Sequence, residues 1–156
     1  MNLLGRKLRS FLRQPLFLQA WFLPVWILLG FCKTAILLYS FRRLAPLLGE
    51  AVGTSAWVPL LTRGEEARAL QIGRVVRLAA RYTPWDSNCF PQAVAARVLL
   101  GLYRIPHALY FGLMRDLDST SMQAHAWVAA GRTRVTGGFG FDRYAVVGCF
   151  VSPGWV

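Results

Sequence analysis

Three cysteines and two histidines supply most of the nucleophilic and proton-transfer chemistry open to this 156-residue chain, and Cys89 stands apart by its surroundings. In the run Ser87-Asn88-Cys89-Phe90-Pro91-Gln92-Ala93-Val94, Asn88 is a favourable N-cap. Pro91 fits only a first helical turn, where its missing N–H has no intrahelical partner to lose. Cys89 is thereby placed at the first helical position, where free backbone N–H groups and the helix dipole favour a thiolate. A thiolate nucleophile needs a base. His125 lies in Met122-Gln123-Ala124-His125-Ala126-Trp127-Val128, which reads as a strand and puts the imidazole on the same face as Trp127. Cys89 as nucleophile and His125 as general base, then acid, form the predicted pair. His107 follows Pro106 at the mouth of an earlier strand and is expected at the solvent or at a cleft rim. Cys32 and Cys149 sit in apolar runs and read as buried small hydrophobes. With no C-x-x-C and no ligand cluster, neither a disulfide, a metal nor a cofactor is expected.

The elements around this pair follow from pattern. Thr62 or Gly64 opens a helix with Glu65 and Glu66 in its first turn, and that helix stops before Pro84. The cysteine helix ends between Gly101 and Pro106. Four strands are predicted over Ala108 to Arg115, Gln123 to Ala130, Thr133 to Thr136 and Tyr144 to Val151, with Gly131-Arg132 as a hairpin connection. Helices first and an antiparallel meander afterwards define an α+β class. The chain reads as an apolar, basic helical region over 1–62 and a core over 63–156 in which the cysteine helix packs on the sheet.

The first third has a different character. Arg6, Lys7, Arg9 and Arg13 alternate with leucines and Phe11, and no acidic residue occurs before Glu50. Pro15 to Cys32 is apolar apart from Gln19, and a second apolar run covers Thr34 to Phe41. Such a segment packs on the rest of the fold or a partner, lies in the plane of a membrane, or spans it, and the basic residues on both flanks give no clear orientation. No A-x-A cleavage pattern follows it, so a signal peptide is not expected. The formal charge of +11, from 18 Lys and Arg against 7 Asp and Glu, suits an anionic lipid surface or an acidic peptide. No zinc-finger spacing or RNA-binding signature points to nucleic acid.

The run Trp85-Asp86-Ser87-Asn88-Cys89-Phe90-Pro91-Gln92-Ala93, then Ile105-Pro106-His107-Ala108 leading to Gly112-Leu113, then Ala124-His125-Ala126-Trp127-Val128 and Gly131, resembles the transglutaminase-like cysteine peptidases of lasso-peptide biosynthesis. These maturase B proteins are similar to the C-terminal domain of the microcin-processing B protein. The resemblance covers roughly Arg68 to Phe150. It implies a transglutaminase-like or papain-like core and an endopeptidase that removes the leader of a ribosomally made precursor peptide. It further implies an ATP-dependent, asparagine-synthetase-like cyclase acting afterwards, and a separate leader-recognition protein, since no winged-helix element precedes the helices. A cytoplasmic enzyme, peripheral to or anchored in the inner face of the cell membrane, is expected.

The sequence departs from that family at the third catalytic residue, an aspartate about a dozen residues after the histidine. Thr136-Gly137-Gly138 stands there instead. Asp142 is the only carboxylate beyond His125, so it is the acidic residue available as orienter; its other reading is a turn residue before the last strand. Two alternatives stay open: a non-catalytic, membrane-associated scaffold of a peptide-maturation complex, and an amidase or transglutaminase using the same Cys-His pair.

Overall fold

The computed structural model describes residues 3–55, 57–115, 121–138 and 141–152. Helix α1 (Leu3–Leu12) turns into α2 (Leu16–Leu38), and the Gln19 side-chain amide bridges them by donating to the Leu12 and Gln14 carbonyls at 3.0 and 2.7 Å. A short α3 (Phe41–Leu44) and a 3₁₀ turn (Ala45–Leu48) lead to strand β1 (Glu50–Ala51). Helices α4 (Arg63–Ala80) and α5 (Cys89–Leu102) come next, then β2 (Ala108–Arg115), β3 (Met122–Ala130), β4 (Thr133–Arg134) and β5 (Ala145–Val151). The α+β class and the helices α4 and α5 ahead of β2 agree with the pattern in the sequence. The start of α4 is set by a capping box: Thr62 Oγ1 accepts from the Glu65 N–H at 3.3 Å, and Glu65 Oε2 accepts from the Thr62 N–H at 2.7 Å.

The sheet is antiparallel but is not the expected meander; its order is β1-β5-β2-β3-β4. β4 pairs for only two residues before the chain turns at Gly137 and Gly138, so it cannot template a further strand. β5 instead takes the free side of β2, whose Ala108, Leu109, Tyr110 and Gly112 are buried, and β5 in turn pairs with the two-residue β1. β1 lies in the 47–61 stretch, whose apolar pattern does not announce a strand.

Residues of alternating parity on β3 serve two cores. Ala126, Val128 and Ala130 join the cluster beneath the helices with Ile72, Val76, Ala96 and Leu99, whereas Trp127 packs with Tyr110, Cys149 and Val151 on the other face. Helix α2 belongs to the first cluster: Leu18, Val25, Leu29 and Cys32 are buried with residues of α4 and α5. At 3.6 residues per turn those four share one side of α2, while Leu16, Leu23, Ile27, Phe31 and Leu38, all exposed, fall within about 80° on the opposite side. The helix is apolar all round because one face fills the core and the other is left uncovered. Pro24 lies inside α2 without ending it.

Candidate active site

Helix α5 begins at Cys89, with Asn88 in extended N-cap geometry and Pro91 in the first turn. The Asn88 side chain makes no capping hydrogen bond, a difference from expectation. The loop before the helix is braced by other groups. Gln92 Nε2 donates to the Ser87 carbonyl at 2.6 Å, and Thr83 Oγ1 lies 2.9 Å from the Ala80 carbonyl, 3.0 Å from that of Trp85 and 3.0 Å from Ser87 Oγ. Thr83 has a single proton to share between two carbonyls, so the Ser87 hydroxyl is the donor to it. Without a bond from Asn88, the first N–H groups of α5 carry no side-chain cap among the described residues.

Helix α2 clamps the same loop from outside. The Trp26 indole N–H donates to the Tyr82 carbonyl at 3.0 Å, and the Trp26 and Trp85 rings pack 5.0 Å apart. A Cβ on Gly30 would lie 3.1 Å from the Trp85 ring, so a glycine lets the helix approach this closely.

His125 is held on three sides. Its ring lies between Trp127, 5.9 Å away and nearly parallel, and Tyr144 at 4.9 Å. Gly112 is its cross-strand partner, and a Cβ there would come within 2.8 Å of Trp127 and 2.7 Å of Tyr144, so its absence makes room for both rings. The third contact fixes the chemistry: His125 Nε2 is 2.8 Å from the Gly137 carbonyl oxygen. A carbonyl only accepts, so Nε2 carries the proton and Nδ1 keeps the lone pair. Gly137 follows His125 by twelve residues, the position of the missing aspartate. It has φ +93°, and a Cβ there would fall 2.2 Å from Trp127 Cβ and 3.3 Å from His125 Nε2. No side chain fits at this point, and the backbone carbonyl occupies the orienting position.

Cys89 and His125 line one cleft of about 440 Å³, completed by Arg77, Arg81, Gln92 and the Gly137-Gly138 turn among others. Arg77 is also structural: Nη1 donates to the Val135 carbonyl at 2.7 Å and ties α4 to the chain that presents Gly137. Partial burial and the neighbouring Arg74 charge both lower its pKa from the usual guanidinium value. Among the described residues the cleft lining contains two arginines and no carboxylate, which suits a substrate with acidic or carbonyl-rich surroundings.

Asp142 stands exposed in a 3₁₀ turn (Phe141–Arg143) and does not contribute to the cleft lining. His107 is not at a rim: it is 2% exposed. Pro106-His107 feeds directly into the central strand β2, and Ser152 after β5 closes over it, its Oγ accepting from the His107 N–H at 3.3 Å. Cys32 and Cys149 are buried, and burial raises the Cys149 thiol to about 11. Among the described residues no group of His, Cys, Asp or Glu is placed to hold a metal ion. Pattern reading missed the Gly137 carbonyl and the two cleft arginines. The double glycine at 137–138 was the available signal for the first.

A family model of the transglutaminase-like superfamily matches residues 35–148, about three quarters of the chain. The protein belongs to the transglutaminase-like superfamily, which includes cysteine peptidases. The matched region includes both Cys89 and His125, and it begins within α2. No curated protein and no solved structure shows a significant match.

Proposed function

We propose that this protein is a cysteine endopeptidase that removes the leader from a ribosomally made lasso-peptide precursor. The observation that carries the reading is the His125 tautomer. With Nε2–H given to Gly137, the lone pair at Nδ1 is free to take the Cys89 proton across the shared cleft. The thiolate Sγ then bonds to the scissile carbonyl carbon. Collapse of the tetrahedral intermediate breaks the C–N bond, and Nδ1–H protonates the departing amine. Water, deprotonated at Nδ1, next cleaves the thioester, freeing the leader carboxylate and restoring the thiol. The uncapped N–H of Cys89 at the start of α5 is the first oxyanion donor in this scheme. Asp142 enters only as a substitute orienter if the turn rearranges with substrate bound. The leader arrives with a separate recognition protein, and the freed amine passes to an ATP-dependent, asparagine-synthetase-like cyclase.

Residues 1–62 serve as the contact region of this assembly and 63–156 as its catalytic core. The uncovered stripe of α2, with Arg9 and Arg13 at one end and Arg42 and Arg43 at the other, suits the partner or the anionic inner face of the cell membrane. α2 is long and apolar enough to cross a membrane, yet its other face is built into the core, so it would have to leave the fold to span.

The test is processing of a precursor peptide in the presence of its recognition protein, followed by mass spectrometry. Wild-type protein should release the leader, and Cys89→Ala should bind precursor without cutting it. Normal cleavage by Cys89→Ala would sink the proposal. Transfer of the acyl group to an added amine in place of water would shift it to the transglutaminase reading, and binding without turnover by the wild type to the scaffold.

A further inference from the structure

A second cavity, of about 570 Å³, lies at the far end of α5 from Cys89 and is lined by Arg97, Arg104, His107 and Ser152 with an apolar wall that includes Val98 and Leu102. Its polar groups are left with unmet hydrogen-bonding needs among the described residues. His107 Nδ1 is 2.8 Å from the Ile105 carbonyl, so Nδ1 holds the ring proton and Nε2 presents a lone pair. That Nε2 is buried and has no hydrogen-bond partner among the described residues. An unsatisfied buried acceptor is costly enough that native structures rarely keep one without a use. Burial holds the ring neutral, with a pKa lowered to about 4, and the Arg97 charge acts in the same direction, so Nε2 asks for a donor and not an anion.

Arg97 has the opposite need. Its Nε donates to the Leu48 carbonyl, while its terminal nitrogens have no carboxylate partner among the described residues, although the side chain is half-buried. Arg104 stands at the mouth with φ +53°, closing α5 by hydrogen bonds from the Arg104 N–H to the Gly101 carbonyl and from the Ile105 N–H to the Leu100 carbonyl. Those bonds cover carbonyls that would otherwise repel an anion. The Ser152 hydroxyl accepts from the His107 N–H and keeps its own proton to donate.

We propose that this cavity binds the free C-terminus of a peptide ending in an apolar residue. The α-carboxylate would pair with Arg97 and Arg104, the last amide N–H would donate to His107 Nε2, and the final side chain would lie on Val98 and Leu102. A bare phosphate would satisfy the arginines but leave the apolar wall and most of the volume empty. The inference is independent of the thiol chemistry, since no described residue lines both this cavity and the Cys89 cleft.

The experiment uses the full chain and two synthetic probes, acetyl-Gly-Ala-Leu with a free carboxylate and the same peptide as its C-terminal amide, followed by NMR of the His107 imidazole nitrogens. The acid should bind at least about tenfold tighter than the amide, and Arg97→Gln should remove that preference, the loss of one charge-assisted contact. The acid should also shift the His107 Nε2 resonance. Cys89→Ala should bind it like the wild type, so failure here and failure of the peptidase reading are distinguishable. Equal affinity for acid and amide, an unchanged preference in a folded Arg97→Gln, or inorganic phosphate competing as well as the peptide would each overturn the proposal.

Discussion

Replacing Gly137 by alanine tests whether a backbone carbonyl has taken over the orienting task. The added Cβ would lie 2.2 Å from Trp127 Cβ, whereas ordinary contact is 3.4 to 4 Å, so the turn must retreat by about 1 Å or more. The left-handed φ of +93° adds strain for any residue with a side chain. A carbonyl now 2.8 Å from His125 Nε2 then moves out of hydrogen-bond range, and the imidazole loses both its orientation and its preferred tautomer. A displacement of this size at a catalytic group costs about 10²-fold in rate. The loss should fall on kcat of the proposed leader removal and leave KM nearly unchanged, because the contact acts on the transition state and not on substrate binding. Circular dichroism establishes that the variant is folded. Nitrogen NMR of the wild type supplies a readout that needs no variant, with Nε2 protonated and Nδ1 bare in the neutral imidazole. A folded Gly137→Ala with the wild-type kcat, or a wild-type imidazole protonated at Nδ1 instead, would refute the reasoning.

Four further expectations follow from the same structure. Asp142→Asn should keep kcat within a few-fold, because the carboxylate is exposed and off the cleft; a loss of orders of magnitude would return the orienting role to Asp142. His107 titrates at about 4 when folded against an ordinary 6.5, so the unfolded chain binds more protons between those values. Its contribution is whole above pH 6.5 and is lost as pH falls toward 4, a change of about 3 kcal/mol in urea stability that a folded His107→Phe should lack. Iodoacetamide should label Cys89 before the buried Cys32 and Cys149, and equal labelling of all three would contradict the burial pattern. Finally, if α2 rests on headgroups by charge and apolar contact, membranes of expressing cells should release the protein to high salt or carbonate; resistance to both would mean that α2 leaves the core and spans.

Much of the site is local in origin and therefore legible in the chain. Asn88, Cys89 and Pro91 specify a helix start within four residues, and the alternation through Ala124-His125-Ala126-Trp127 specifies a strand with the imidazole and the indole on one face. Thr62 and Glu65, three apart, close their capping box without help from the rest of the fold. The alignment of these local signals with a family pattern also carried the superfamily assignment. What the sequence could not decide depends on groups that carry no side-chain signature or meet only through tertiary packing. The Gly137 carbonyl is chemically the same as every other carbonyl, and only the turn that folds it over Trp127 makes it the partner of His125. His107 looks like a rim residue until β5 crosses to the free side of β2 and Ser152 covers it. The uniform greasiness of α2 hides two different faces, because hydropathy records that a side chain is apolar, and the packing of α4 and α5 decides which of those side chains leaves water.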